Sequence, residues 1–133
     1  MDSSAFYAAA DRGDRQNARA KQVLSAEKPL VTSDHVLIES WLLLRGRRDR
    51  STADRFWSSL RAGMATIEVV GSADLEVAWQ IGERFGDQDF SIVDRTSFAI
   101  MERLGIERVA TFDDDFAVYR FGSGLRRAFE VVR

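Results

Sequence analysis

With 133 residues, 45% apolar and 11% aromatic content, the chain carries enough hydrophobic material for one compact domain with a real core, which excludes a disordered tail and a multidomain protein. It has no cysteine and one histidine, His35, which excludes a disulfide framework, a zinc finger and an iron-sulfur centre, so oxygen must hold any bound metal. A net charge of -2, an acidic start and the lack of any apolar run near about 18 residues predict neither a signal peptide nor a membrane span, and a cytoplasmic location.

In chain order, residues 5–12 read as a short helix ending in the DRGDR turn, and residues 16–25 as a second helix rich in alanine, lysine and arginine. Lys28-Pro29 breaks it, and LVTS at 30–33 reads as a buried strand. Ser33 or Asp34 then caps the helix HVLIESWLLLRG, which Gly46 closes. A helix over 51–61 is expected to bury Phe56, Trp57 and Leu60, ATIEVV at 65–70 is a strand, and SADLEVAWQIGERFG is a helix running from a Ser72 cap to Gly86 with Trp79 in the core. A further helix over 91–104 precedes the strand RVATF at 108–112, an Asp-rich turn and a last short strand at 129–132. Strands separated by helical crossovers predict an α/β fold, a three-layer α/β/α domain over 1–133 with a central parallel sheet of four to five strands.

Ligands of such sheets sit outside the carboxyl ends of the strands, and two acids match that placement while two more stand on apolar helix faces. Asp2 stands where a first strand would end, and Asp113 directly follows RVATF. Glu39 has His35, Val36, Leu42 and Leu43 one turn away, and Asp94 has Phe90 and Phe98, so both carboxylates sit on largely apolar helix faces. A buried carboxylate is costly unless paired, hydrogen-bonded or bound to a cation. Each acid also has a local explanation. Asp94 stands three residues after Ser91 and can complete a capping box, Glu39 can pair with Arg45 or a distant arginine, Asp113 to Asp115 can form a solvated turn, and Asp2 can cap a helix. A shared site explains all four at once.

The segments MDSSAFYAAADRGD, TSDHVLIESWLLLRGR, FSIVDRTSFAIMERLGIERVATFDDDF and FEVV resemble PIN-domain ribonucleases of the VapC type, the toxin half of bacterial toxin-antitoxin pairs. The resemblance spans nearly the whole chain. It implies a catalytic and metal-binding set of Asp2, Glu39, Asp94 and Asp113, with Asp115 as a second candidate for the fourth position and Ser4 and Thr111 in support. It further implies Mg2+ or Mn2+ as cofactor, hydrolysis of RNA to a 3'-hydroxyl and a 5'-phosphate, a homodimer, and a cognate antitoxin that obstructs the acidic pocket. Family members carry several apolar residues before the first Asp, where this chain has only Met1, which implies either a translation start upstream, the preferred explanation, or an unusually short first strand.

Carboxylates are hard oxygen donors suited to Mg2+ or Mn2+, so no histidine or lysine base is required, and His35 is expected to cap or pack. RNA binding also needs cations. The densest run is RGRRDR, with Arg45, Arg47, Arg48 and Arg50, which reads equally as a phosphate-binding stretch and as a solvated helix end. Arginine supplies 17 of the 19 cationic residues, a bias that GC-rich coding explains before function does. Two other classes compete. A receiver-like Mg2+-binding regulatory domain wants a lysine after a late strand, whereas the lysines here are Lys21 and Lys28. A catalytically silent α/β binding module would bind no cation.

Overall fold

A computed structural model describes residues 1–133. The elements follow in the order α1 (Ser3–Ala10), α2 (Asn17–Ala26), β1 (Val31–Ser33), α3 (Asp34–Arg47), α4 (Arg50–Arg61), β2 (Thr66–Glu68), α5 (Ser72–Arg84), α6 (Ile92–Leu104), β3 (Arg108–Ala110), α7 (Asp115–Val118) and β4 (Glu130–Val132). Helices and parallel strands alternate as the sequence predicts.

Capping chemistry sets several boundaries. Ser33 is the residue that caps α3, its hydroxyl accepting the Val36 N-H at 3.1 Å, and Asp49 caps α4 by accepting from Thr52 at 2.7 Å. That acceptor starts α4 at Arg50, one residue before the expected position. Gly46 does not close α3, which runs one residue further to Arg47. Ser72 is not the cap of α5 either. Gly71 takes that place because its N-H reaches back to the Asp74 carboxylate at 3.0 Å. Gly105 ends α6 at φ +68, a left-handed conformation that glycine adopts without steric cost.

The strands form two parallel ribbons. β1 pairs with β2 in the register Val31↔Thr66, and β3 pairs with β4 in the register Arg108↔Glu130. The expected continuous sheet of four to five strands is therefore not present as one ladder. Met1 and Asp2 lie between the ribbons and tie them by single main-chain bonds, Met1 N to Val31 O at 2.8 Å and Asp2 N to Ala110 O at 3.0 Å. Two residues supply one rung to each side, too few for the repeated pairing of a strand. Beside this seam lies a largely apolar cavity of about 380 Å³, whose lining contains none of the candidate acids.

Two apolar clusters hold the fold. One joins Phe6, Leu24, Val36, Leu44, Phe56 and Leu60 from α1 to α4. The other is built on Phe90, Phe98, Phe116, Tyr119, Phe121 and Phe129 around α6 and the chain after β3. Two tryptophans expected inside are outside: Trp57 is 46% exposed and Trp79 63%. Successive helical residues point about 100° apart, so Phe56 and Ala78 take the inward positions and turn the next residue out. No helix is long and apolar enough to cross a membrane.

Tyr119 stacks on Phe98 with centroids 4.2 Å apart and donates its hydroxyl to Glu102 at 2.6 Å. Burial, reinforced by Glu102, pushes this phenol well above its ordinary range, so it stays a donor at any working pH. Tyr119→Phe is expected to lower unfolding free energy in urea by about 0.5–1.5 kcal/mol, with the denaturant slope unchanged. An unaltered midpoint would show that the bond contributes nothing net.

Candidate active site

The candidate acids come from both halves of the molecule. Asp2 and Glu39 stand on elements packed over the first apolar cluster, and Asp94, Asp113 and Asp115 on elements packed over the second. All five line one cavity of about 540 Å³, as do Asp14 and Asp89. The four principal sequence candidates are thus brought together. Carboxylate oxygens of Asp94, Asp113 and Asp115 lie within 4.8 Å of one another, so both candidates for the fourth position stand beside Asp94.

Asp2 is 2% exposed and occupies the cap position of α1, yet its side chain makes no capping bond to that helix. Its Oδ2 instead accepts the hydroxyls of Ser4 at 2.9 Å and Thr111 at 2.8 Å. The same two side chains organise the opposite wall. Ser4 Oγ accepts the Phe112 N-H at 2.9 Å, and Thr111 Oγ1 accepts the Asp113 N-H at 2.9 Å. Ser4 and Thr111 therefore couple the start of the chain to the turn after β3. Asp113 Oδ1 accepts the Asp115 N-H at 2.9 Å, which folds that turn so that both acids enter the cavity.

Asp94 does two things. Its N-H donates to Ser91 Oγ at 3.0 Å and its Oδ2 accepts the Ser91 N-H at 3.3 Å, which is the capping box suggested by Ser-x-x-Asp. It is also 6% exposed and belongs to the acidic cluster, so the two explanations hold together. Glu39 does not pair with Arg45. Its partner is the Ser3 hydroxyl, a residue the sequence pattern does not single out because nothing local links positions 36 residues apart. Tyr7 and Arg47 also border the cavity. His35 lies outside it, in a neighbouring apolar groove beside Ile38 and Leu42.

The electrostatics follow from this crowding. Burial, then the neighbouring Asp2 charge and hydrogen bonding with Asp115, push the Asp94 carboxyl up to about 8. Burial also raises Glu39, opposed by the Ser3 bond and reinforced by Asp2 and Asp113. Asp113 is raised by burial and by Asp115 and Asp2, against the Asp115 N-H that stabilises its charge. Asp2 Oδ1 is buried with no hydrogen-bond partner. A divalent cation fits this donor set. It would satisfy that orphaned oxygen, cancel the mutual repulsion of the carboxylates, and meet the hard oxygen ligands it prefers.

Comparison with known proteins agrees with the geometry. A family model described as PIN domain matches residues 1–122. Two curated relatives, each named 23S rRNA-specific endonuclease VapC20, come from Mycobacterium tuberculosis strains CDC 1551 / Oshkosh and ATCC 25618 / H37Rv. Each is 36% identical over 123 residues, covering 91% of this chain and 93% of the relative. A crystal structure of Mycobacterium tuberculosis VapC20, described as a sarcin-ricin loop cleaving toxin, superposes with a TM-score of 0.83 at 32% identity, covering 88% of this chain and 91% of that one.

Proposed function

From the premise that this chain belongs to the PIN-domain family, we propose that it is a metal-dependent endoribonuclease and the toxin of a toxin-antitoxin pair, with Mg2+ or Mn2+ as its ion. The observation that carries the reading is the buried, unpartnered Asp2 Oδ1 of a residue that lines one cavity with the clustered carboxylates of Asp94, Asp113 and Asp115. Acids kept for stability alone would be paired with cations, and Asp74 shows the contrast: it is 5% exposed and bound by Arg103 at 2.9 Å.

In this reading Asp2, Asp94, Asp113 and Asp115 hold the ion. When bound, the cation supplies the Lewis acidity that activates a water for in-line attack on phosphorus and offsets charge on the phosphate. Ser4 and Thr111 fix Asp2 through Oδ2, which leaves Oδ1 free as a ligand. Glu39, held by Ser3 and half-buried, borders the space where that water would be oriented. Attack by that water would form a new oxygen–phosphorus bond as the bond to the ribose 3'-oxygen breaks; the water's proton would pass to bulk solvent and a solvent proton to the departing 3'-oxygen, leaving a 3'-hydroxyl and a 5'-phosphate.

Identity of 36% to VapC20 supports 23S rRNA as substrate, cut in the sarcin-ricin loop. The cognate antitoxin and a second copy of the chain are the protein partners. Exposed Ile38 and Leu42 on α3 and Trp57 on α4 offer apolar surface to them. The two ribbons act as one four-stranded layer joined through Met1 and Asp2. Of the basic run, Arg47 is the arginine at the rim of the acidic cavity. Arg48 pairs with Asp11, Arg50 pairs with Asp54, and Arg45 lies on the exposed side of α3.

Incubating the purified protein and Mg2+ with intact ribosomes, then mapping new 5' ends, is expected to give one dominant cut in 23S rRNA. Scattered ends across messages, or none, would overturn the substrate. His35→Ala should retain most activity, because the imidazole is outside the cavity; complete loss in a folded variant would restore a histidine base.

A further inference from the structure

A second cavity, of about 440 Å³, lies next to the acidic one across α1 and the end of α3. Adjacent residues divide between them: Tyr7 and Arg47 border the acidic cavity, Phe6 and Arg48 the second one. A chain of contacts crosses the divide. The Arg47 guanidinium lies 5.2 Å over the Tyr7 ring, the Tyr7 hydroxyl donates to Asp11 at 2.9 Å, and Asp11 pairs with Arg48 at 3.4 Å.

The two cavities are opposite in charge. Seven acids and Arg47 line the first, whereas Arg12, Lys21, Arg48 and Arg55 line the second with no acid among its lining residues. Two acids sit near these cations and both are engaged. Asp11 holds Arg48, the Tyr7 hydroxyl and the Gly13 N-H, and Asp49 caps α4 within electrostatic reach of Arg55 and Arg48. Arg12 and Lys21 form no ion pair, and Arg55 is held only by the Ser51 and Thr52 hydroxyls of its own helix. Three cations without ion pairs thus converge from α2, α4 and the turn after α1. The cavity floor is Phe6, Leu24, Phe56 and Met64, and a low-dielectric wall under exposed cations focuses their field outward.

We propose that this cavity binds the phosphodiester backbone of the RNA strand next to the cut, with Arg12, Lys21 and Arg55 as its phosphate contacts. The inference rests on the endoribonuclease reading and deepens it. The acidic cavity needs its cation before it can accept a phosphate, whereas the cationic cavity attracts phosphates unaided. Polyanion density is what distinguishes the ligand from a neutral or acidic-poor partner, and no residue of the RGRRDR run other than Arg48 takes part.

The test is binding of a fluorescently labelled single-stranded RNA to the full-length protein in EDTA, read by anisotropy over a salt series, so that cleavage plays no part. Arg12→Ala, Lys21→Ala and Arg55→Ala are each expected to weaken binding and to flatten the plot of log affinity against log salt by roughly 0.7 per lost contact. Arg84→Ala, on α5 and outside the cavity, should match the parent. Unchanged slopes in all three variants, or no RNA binding by the parent, would overturn the inference. So would a polyglutamate peptide that displaces the RNA at equal charge concentration, since the cavity would then favour an acidic protein segment. A protein that binds RNA here but never cuts it refutes the endonuclease reading alone; one that cuts with unchanged slopes refutes only this inference.

Discussion

Replacing Asp94 with Asn is expected to lower RNA cleavage by more than about 100-fold while leaving the metal-free protein at least as heat-stable as the parent. Loss of a group that merely orients a metal ligand costs about 10–100-fold, and Asp94 is a direct donor in the proposed site. The fold should tolerate the change because Asn keeps a carbonyl oxygen for the Ser91 N-H, so the capping box survives. The pH profile provides an independent check. In the unfolded chain Asp94 titrates near 3.8, and in the metal-free fold at about 8. The native state therefore binds the extra proton between these values, and stability falls as pH rises from about 4 to about 8. Glu39 and Asp113, both raised, act in the same direction. Melting temperature in EDTA should thus decline between pH 5 and pH 8 in the parent, and Asp94→Asn should flatten that decline. A variant that still cuts and whose melting temperature keeps the parent's pH dependence would leave Asp94 as a helix cap and nothing more.

Removal of the divalent ion is expected to abolish cleavage altogether, and its return to raise the melting temperature. A ligand bound only by the native state stabilises it by about 2.7 kcal/mol at a hundredfold excess over its dissociation constant. Mn2+ should therefore stabilise the parent measurably by calorimetry, and more strongly at pH 8 than at pH 6, because the carboxylates must shed protons to bind it. Asp94→Asn and Asp113→Asn should lose most of that response. Cleavage that persists in EDTA would refute the metal mechanism. Equal stabilisation of the parent and both variants would place the ion elsewhere.

Much of this molecule is legible locally. Ser33 before a hydrophobic helix and Ser-x-x-Asp before α6 are short-range hydrogen-bonding signals, and each sets the boundary it suggests. The acids on apolar faces are legible for a similar reason: within one helical turn the neighbours of Asp94 and Glu39 are fixed by periodicity, whatever the rest of the chain does. Trp79 and Trp57 show where that reasoning stops. A helix offers limited inward surface, and only packing decides which of two adjacent apolar residues receives it, Phe56 over Trp57 and even Ala78 over Trp79.

Periodicity, capping and chemical type make α1 to α6, the strands, their order and the carboxylates available to one site legible from the chain alone, but not α7, which reads only as part of an Asp-rich turn. The tertiary structure decided the rest. It paired Glu39 with Ser3, bonded the Asp2 carboxylate to the Ser4 and Thr111 hydroxyls in place of a helix cap, set Asp113 and Asp115 side by side with Asp94, and brought Arg12, Lys21 and Arg55 to one cavity with Arg48 alone of the arginine run. Contacts such as Thr111 with Asp2, 109 residues apart, have no local signature. They exist because a small apolar cluster of Ala5, Val23 and Ala110, with Met1, Phe112 and Val132 packed against it, brings the start of the chain to β3, and that packing sets which polar groups share the seam.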